Sequence, residues 1–454
     1  MHKHQGLWLV SIALLMTNAS LTNAQKPVAF SRLSPMVVTD ETKSVTLEVA
    51  VTVKSPSVKL LLQSSGKEVP LNDDGMGGDR RSGDGIYTTT IDVADVRSGF
   101  RPEDVNRKFV GYLRVDNNER RLIQINVFAD IMTGEIPIVR VRQVAKTTQV
   151  SDHLVNIAEP SFFRGLREGD RPATMQICKR FYAYFPDNYD FVNVVYAIIH
   201  YENRYHFAVR NDIQGIGARL FDEGRAFGSQ RRLKGISVFP IPTLFDGASS
   251  DYQHELGHQW INHLPVRPFS QGTPHWPLSD LAKGIMGYGA QSQGLDFGYD
   301  LQADGDGYTL MRSARPKEFT DLDLYLMGLI PATEVGTHIV FNNQNQVPRG
   351  GGKLEGPVTK VSAQTIVEQL GPRIPNSQQS PKEFRIATVI VSEELLPEEA
   401  MRLYDYFAVR AEGIKAVPYS SGFVKGTTLP FHLSTGKRGS LMTKLDAPIS
   451  ETKK

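Results

Sequence analysis

The pentapeptide His254-Glu255-Leu256-Gly257-His258 constrains this chain more than any other stretch. An α-helix turns about 100° per residue, so positions i and i+4 lie nearly one above the other. Two imidazoles set that way can grip one ion. The Glu255 carboxylate is rotated off their line and addresses a water instead of the ion. HExxH on a helix is therefore the arrangement of a zinc site with a general base beside it. Zinc on neutral nitrogen ligands lowers the pKa of its water to about 7 and polarises a carbonyl. The carboxylate takes the water's proton and returns it to a leaving amine. With 11 histidines in 454 residues, chance produces the pattern in about one such chain in a hundred. The plain alternative is an exposed helix with two solvated histidines. The flanks oppose it: Ser250 and Gln253 have capping-box character, Leu256, Trp260 and Leu264 form an apolar stripe, and Pro265 ends the helix.

Two histidines do not complete a catalytic site, which takes three protein ligands and keeps one position open. His263, His275 and Asp280 are the nearby candidates. On a continuing helix, His263 is rotated away from the His254/His258 face. His275 is the preferred third ligand. It follows Pro265, Pro268 and the Ser270–Pro274 turn, so the chain has left the helix and can fold back. Asp280 is the alternative, as a ligand, as an acceptor orienting a ligand histidine, or as a helix cap. Downstream, Gly284-Ile285-Met286-Gly287-Tyr288-Gly289 is a turn whose methionine can support the imidazoles. Tyr288 is a candidate catalytic residue that stabilises an oxyanion; a glycine-rich turn with a buried tyrosine is the alternative.

Length allows two or three domains. Lysine and arginine number 51 against 49 acidic residues, a net charge of +2, which gives no reason to expect a nucleic-acid partner. Residues 1–24 read as a signal peptide: Lys3 near the start, an apolar run from Leu7 to Met16, and Thr22-Asn23-Ala24 as a small-residue cleavage site. That run is too short to span a bilayer, and no later segment qualifies. The expectation is a secreted or extracytoplasmic protein, in the periplasm or at the cell surface, without a transmembrane segment after cleavage. The single cysteine, Cys178, excludes an intramolecular disulfide, and its apolar neighbours mark it as a buried thiol. Stability must then come from core packing or metals.

Residues 25–140 alternate in short runs such as Val45–Val51, Lys59–Leu62, Phe109–Val115 and Leu122–Val127, the pattern of an all-β sandwich. Residues 130–150 read as a linker. An α+β domain follows over 150–440, and 441–454 reads as a flexible tail. Phe191–Ile199, Gly235–Phe239 and Phe384–Val391 are buried strands, Pro397–Glu412 is a helix, and residues 342–382 are long loops. Lys234–Phe239 is proposed as an edge strand that pairs with an extended substrate. The aspartates of the Leu71–Thr88 stretch (Asp73, Asp74, Asp79 and Asp84), the Asp304–Gly307 stretch and Asp321/Asp323 are calcium candidates, with turn formation and capping as the alternative.

Two resemblances add to this. The stretch Asn72-Asp73-Asp74-Gly75 through Gly83-Asp84-Gly85-Ile86-Tyr87-Thr88 resembles the signature of immunoglobulin-like accessory domains in secreted bacterial proteins. The segments FPDNYDFVNVVYA (185–197), VRNDIQGIG (209–217), RLKGISVF (232–239), HELGHQW (254–260), HWPLSD (275–280), GIMGYG (284–289), ADGDGYT (303–309) and DLDLYLMGLIP (321–331) together resemble secreted bacterial zincin-like proteins. The GIMGYG segment also looks like the methionine turn of metzincins. What the second resemblance implies is a zincin-like metallopeptidase fold with one catalytic Zn2+, and the histidine of its HW pair supports His275. The expected partners are a protein or peptide substrate, with cell-surface or polysaccharide docking through the N-terminal domain. The rival functions are a non-catalytic, metal-containing surface-binding protein and a zinc amidase acting on glycan or cell-wall peptides.

Overall fold

Alternation of apolar and polar residues builds the N-terminal strands β1 (Val28–Ser34), β2 (Ser44–Val51), β3 (Val58–Leu62), β4 (Glu68–Leu71), β5 (Ile86–Asp92), β6 (Lys108–Val115) and β7 (Asn118–Asn126). They form two antiparallel sheets, ordered β1-β2-β5 and β4-β3-β6-β7. Residues i and i+2 share a strand face. Val45, Leu47 and Val49 of one sheet therefore meet Val58, Leu60, Leu62 and Leu113 of the other in a single core.

The computed structural model describes residues 28–34, 37–38, 43–51, 57–62, 66–97, 108–115, 118–126, 128–129, 138–159, 171–197, 204–239, 250–287, 299–313, 317–346, 351–415, 417–421 and 424–449. The signal peptide proposed at 1–24 lies outside them, as does Tyr288. The chain is β-rich, with several separate sheets and few helices. Among the described residues no helix is long and apolar enough to cross a membrane.

A third, larger sheet begins with β8 (Arg142–Ala145), β9 (Thr148–Val150) and β10 (Leu154–Ala158), followed by helix α1 (Arg171–Tyr182). Then come β11 (Phe191–Tyr196), β12 (Tyr205–Ala208), β13 (Gly235–Phe239), helices α2 (Ser250–Gly257) and α3 (Asp321–Met327), β14 (Glu383–Ser392), helix α4 (Glu398–Val409) and β15 (Ser440–Met442). The strand order is β8-β9-β10-β14-β11-β13-β12, with β15 added beside β14. The central strands β10, β14, β11 and β13 run parallel, and β12 closes the edge antiparallel to β13.

A parallel sheet is buried on both faces, so its strands are mostly apolar, with isolated polar residues such as Asn156, Asn193 and Ser237. Val192, Val194 and Tyr196 of β11 pack with Ile177, Cys178 and Phe181 of α1. Phe191 and Val195 pack on the opposite face with Tyr252, Leu256 and Trp260. Asn193 lies on that second face and donates through Nδ2 to Tyr252 Oη at 2.6 Å. Burying each large side chain is worth about 1.5–3 kcal/mol, against about 1 kcal/mol for that hydrogen bond. Apolar packing therefore holds α2 on the sheet, and the Asn193 bond sets its rotation.

Four expectations need correction. Residues 142–150 are not linker: β8 and β9 make a hairpin that extends the sheet, with Thr148–Val150 buried. The C-terminal stretch is not a flexible tail through residue 449. There β15 pairs with β14, the Asp446 backbone N–H donates to Tyr189 Oη at 2.8 Å, and the Ile449 N–H donates to the Tyr184 carbonyl at 2.8 Å. The 342–382 stretch contains a helix, Ala363–Leu370, capped reciprocally by Ser362 and Thr365. Finally, β13 is interior, paired to β11 on one side and β12 on the other. The edge strand beside it is β12.

Candidate metal centre

Helix α2 ends at Gly257, well short of Pro265. Isolated turns carry the chain on to Asn262, whose φ of 51° is left-handed, a conformation asparagine tolerates better than most residues. The Asn262 amide donates to the carbonyls of Phe269 and His275. The residue that reverses the chain thus also ties down the segment bearing the third imidazole.

The structure brings His254, His258 and His275 together, with their candidate ligand atoms all within 4.8 Å of one another. His254 Nε2 lies 2.9 Å from His275 Nε2 and 3.2 Å from His258 Nε2. The other ring nitrogen of His254 donates to the Ile285 carbonyl at 2.8 Å. That bond fixes the tautomer and leaves Nε2 with one lone pair and two nitrogen neighbours. A cation relieves such crowding. Zinc–nitrogen distances of roughly 2.0–2.1 Å give a tetrahedral edge of about 3.3 Å, close to these separations. Burial holds all three imidazoles below their ordinary pKa, His254 at about 3, with the neighbouring imidazoles and Arg204 adding to the effect. They are neutral at physiological pH, the form that binds metal. The donor set therefore fits a zinc ion.

Met286 sits under the helix. A Cβ on Gly257 would lie 2.3 Å from Met286 Sδ, so the glycine in the motif permits this close approach. Glu255 is buried, and a buried carboxylate needs a compensating charge. Arg204 supplies it, donating from Nε to Oε1 at 3.1 Å. Arg204 immediately precedes the edge strand β12, and its charge also opposes protonation of His254 and His275. The pair joins the candidate base to the strand bordering the site.

The alternative ligands are occupied elsewhere. His263 Nε2 donates to the His258 carbonyl at 3.0 Å. Asp280 faces His338, whose Nδ1 lies 3.2 Å away, while His338 Nε2 lies 2.6 Å from Asp321. Burial works against protonation of His338, but the two carboxylates outweigh it and raise the imidazole to about 9. Asp280 also accepts from the Ile339 N–H at 3.0 Å. Asp323 caps α3 reciprocally with Thr320 and accepts from the Trp276 indole at 2.7 Å. Burial pushes its carboxyl up to about 6, with the bonds from Thr320 and Trp276 pulling the other way.

The calcium candidates resolve into turns and caps, with one cluster among them. Asp321 and Asp323 have the roles just given. Asp304 and Gly307 pair across a two-residue hairpin turn with Gly305 at φ 60°. Asp73, Asp79 and Asp84 do approach one another within 4.8 Å. Asp73 accepts the N–H groups of Gly83, Asp84 and Gly85, and Asp79 those of Gly75 and Arg81.

Sequence reading missed Arg204, Asn262 and the Trp276–Asp323 contact. Asn262 carried a local signal, an asparagine just past a helix. Thr320 to Asp323 carried another, the spacing of a cap. Arg204 carried none, because it is 51 residues from Glu255 in sequence.

Neither a protein-family model nor a curated protein matches this chain. A solved structure, Cwp6 from Clostridium difficile, is similar at 12% identity and TM-score 0.14 over 36% of this chain. The similarity spans 25% of that protein's own length, and a likeness so loose carries no argument.

Proposed function

We propose that the protein is a secreted, zincin-like zinc endopeptidase preceded by an immunoglobulin-like accessory domain. The observation that carries this reading is the convergence of the His254, His258 and His275 nitrogens beside the buried Glu255 carboxylate. Zinc held by those three imidazoles would supply Lewis acidity toward a substrate carbonyl and toward water. The chain's own groups do the rest. Glu255 accepts a proton as water oxygen adds to the scissile carbonyl carbon. It returns that proton to the amine as the C–N bond breaks. The edge strand β12 offers its outer backbone to an extended peptide, aligning the scissile bond with the site. Arg204, at the start of that strand, keeps the base in place.

The test is Glu255→Gln in zinc-loaded full-length protein against a quenched-fluorescent peptide library. Zinc stoichiometry should hold while cleavage falls by about 10²–10⁴-fold. Cleavage at the wild-type rate would remove Glu255 from the mechanism. The Arg204–Glu255 ion pair favours one second reading, a non-catalytic metal-bearing module in which the carboxylate is structural. Wild-type protein that binds zinc and cleaves no member of the library would support it.

A further inference from the structure

We propose that Trp276 and Asp323 are a positioning pair that sets His275 against the other two imidazoles, so that metal affinity is controlled from α3. The inference rests on the zinc-site reading above. His254 and His258 are spaced by one helical turn, but His275 sits on a segment whose nearest regular element is the three-residue turn Phe269–Gln271. Such a segment loses conformational freedom when it binds a metal, unless something has already fixed it.

Trp276 fixes it from the adjacent position. The ring is fully buried and stacks edge-on to Phe269 at 5.8 Å. Its N–H reaches Asp323 Oδ1 at 2.7 Å in the interior. The other oxygen, Oδ2, accepts the Thr320 N–H at 2.7 Å, and Thr320 Oγ1 accepts the Asp323 N–H at 3.2 Å. The carboxylate cannot swing away without undoing the cap of α3. A hydrogen bond to a carboxylate is stronger than one between neutral groups and more demanding of direction. It therefore orients the indole, and through the shared backbone the imidazole before it. The Trp276 backbone N–H also donates to the Gly287 carbonyl at 3.2 Å. Gly287 lies two residues past Ile285, whose carbonyl holds His254. One network thus reaches two of the three imidazoles. It also gives a role to the HWPLSD and DLDLYLMG segments, which lie far apart in the chain.

The experiment measures zinc affinity of the full chain by competition with a chromogenic chelator, and the visible spectrum of the Co2+-loaded protein. Trp276→Phe removes the indole N–H and keeps an aromatic ring. Zinc affinity should fall about 10–100-fold, the range for groups that orient metal ligands, with an altered Co2+ spectrum. Val389→Ala, in the core on the opposite face of the sheet, controls for stability and should leave both readouts unchanged. Wild-type affinity in Trp276→Phe overturns the proposal, and so does an equal loss in Val389→Ala. If Trp276→Phe does not fold, Asp323→Asn replaces it. That variant keeps an oxygen for the indole and removes the charge, and it should weaken zinc a few-fold. Unchanged affinity there overturns the proposal too. A wild-type protein that binds no zinc brings down the metal reading itself, a result distinct from all of these.

Discussion

Two clusters of ligand-type side chains, the aspartates of the N-terminal loop and the histidines around α2, gather equally tightly. Their lone pairs point in different directions. Asp73 and Asp79 turn their oxygens onto five backbone N–H groups of their own loop. The histidine cluster does the reverse. His254 gives its second nitrogen to a backbone carbonyl, and its Nε2 faces two other imidazole nitrogens. Proximity does not separate a binding site from a turn. What separates them is whether the donor atoms are already satisfied by the chain.

The widest gap between the clusters should appear on removing one imidazole. His258→Ala deletes one of three donors. Dividing roughly 10–16 kcal/mol of zinc binding among three or four ligands predicts an affinity loss of about 10²–10⁴-fold. Chelator competition measures it. Asp73→Ala, treated identically, should bind zinc as the wild type does. Equal affinity in His258→Ala and wild type would erase the distinction.

A third cluster sharpens the rule. His338 lies between Asp280 and Asp321 with both ring nitrogens engaged, so it should act as a structural ion pair and not as a ligand set. Its pKa in the folded protein is raised to about 9 from an ordinary 6.5. Its stabilisation is therefore complete below about pH 6.5 and disappears as pH rises through 9. A shift of that size corresponds to at most about 3 kcal/mol, counted once for the whole cluster. Urea midpoints at pH 6 and pH 9.5 should differ in the wild type and converge in His338→Gln. A wild-type midpoint that stays flat across this window would refute the assignment.

Gly257 tests the support beneath the imidazoles. Alanine at a helical glycine ordinarily gains about 1 kcal/mol. Here its Cβ would lie 2.3 Å from the buried Met286 Sδ. Overpacking costs about 1–3 kcal/mol, so the net effect should be a modest loss of thermal stability. Gly257→Ala combined with Met286→Ala should show favourable coupling, because the second change opens the space the first requires. Strict additivity would mean that the two groups do not share that space.

How much of this was legible before the structure depended on range. The i, i+4 spacing of His254 and His258 is local, and chain reach brought in His275. The strands around Phe191, Gly235 and Phe384 declared themselves by short runs dominated by apolar residues. The sheet order did not. β12 is four residues long and only partly buried along its length. Its edge position depends on which strands neighbour it, and no local pattern encodes that. Docking of residues 440–449 was hidden for a similar reason: a short segment without a clear apolar period looks like a tail until its N–H groups find Tyr189 and Tyr184. Asp321 and Asp323 were ambiguous because a carboxylate that caps a helix and one that binds calcium look alike in sequence. The Thr320–Asp323 spacing was the feature that should have decided between them.

The smallest effect, and the sharpest test of the contrast, concerns Asp73. It is a surface-loop residue whose two oxygens accept N–H groups at 2.7, 3.1 and 3.0 Å. Water can replace part of what alanine removes, so Asp73→Ala should cost about 1–2 kcal/mol. It should lower the thermal midpoint without changing zinc affinity. Because the chain already satisfies these oxygens, millimolar calcium should leave the wild-type midpoint where it is. A midpoint that rises with calcium in the wild type and not in Asp73→Ala would mean that the loop releases its N–H groups for a cation. Internal satisfaction would then fail as a criterion in the region where it was drawn most clearly.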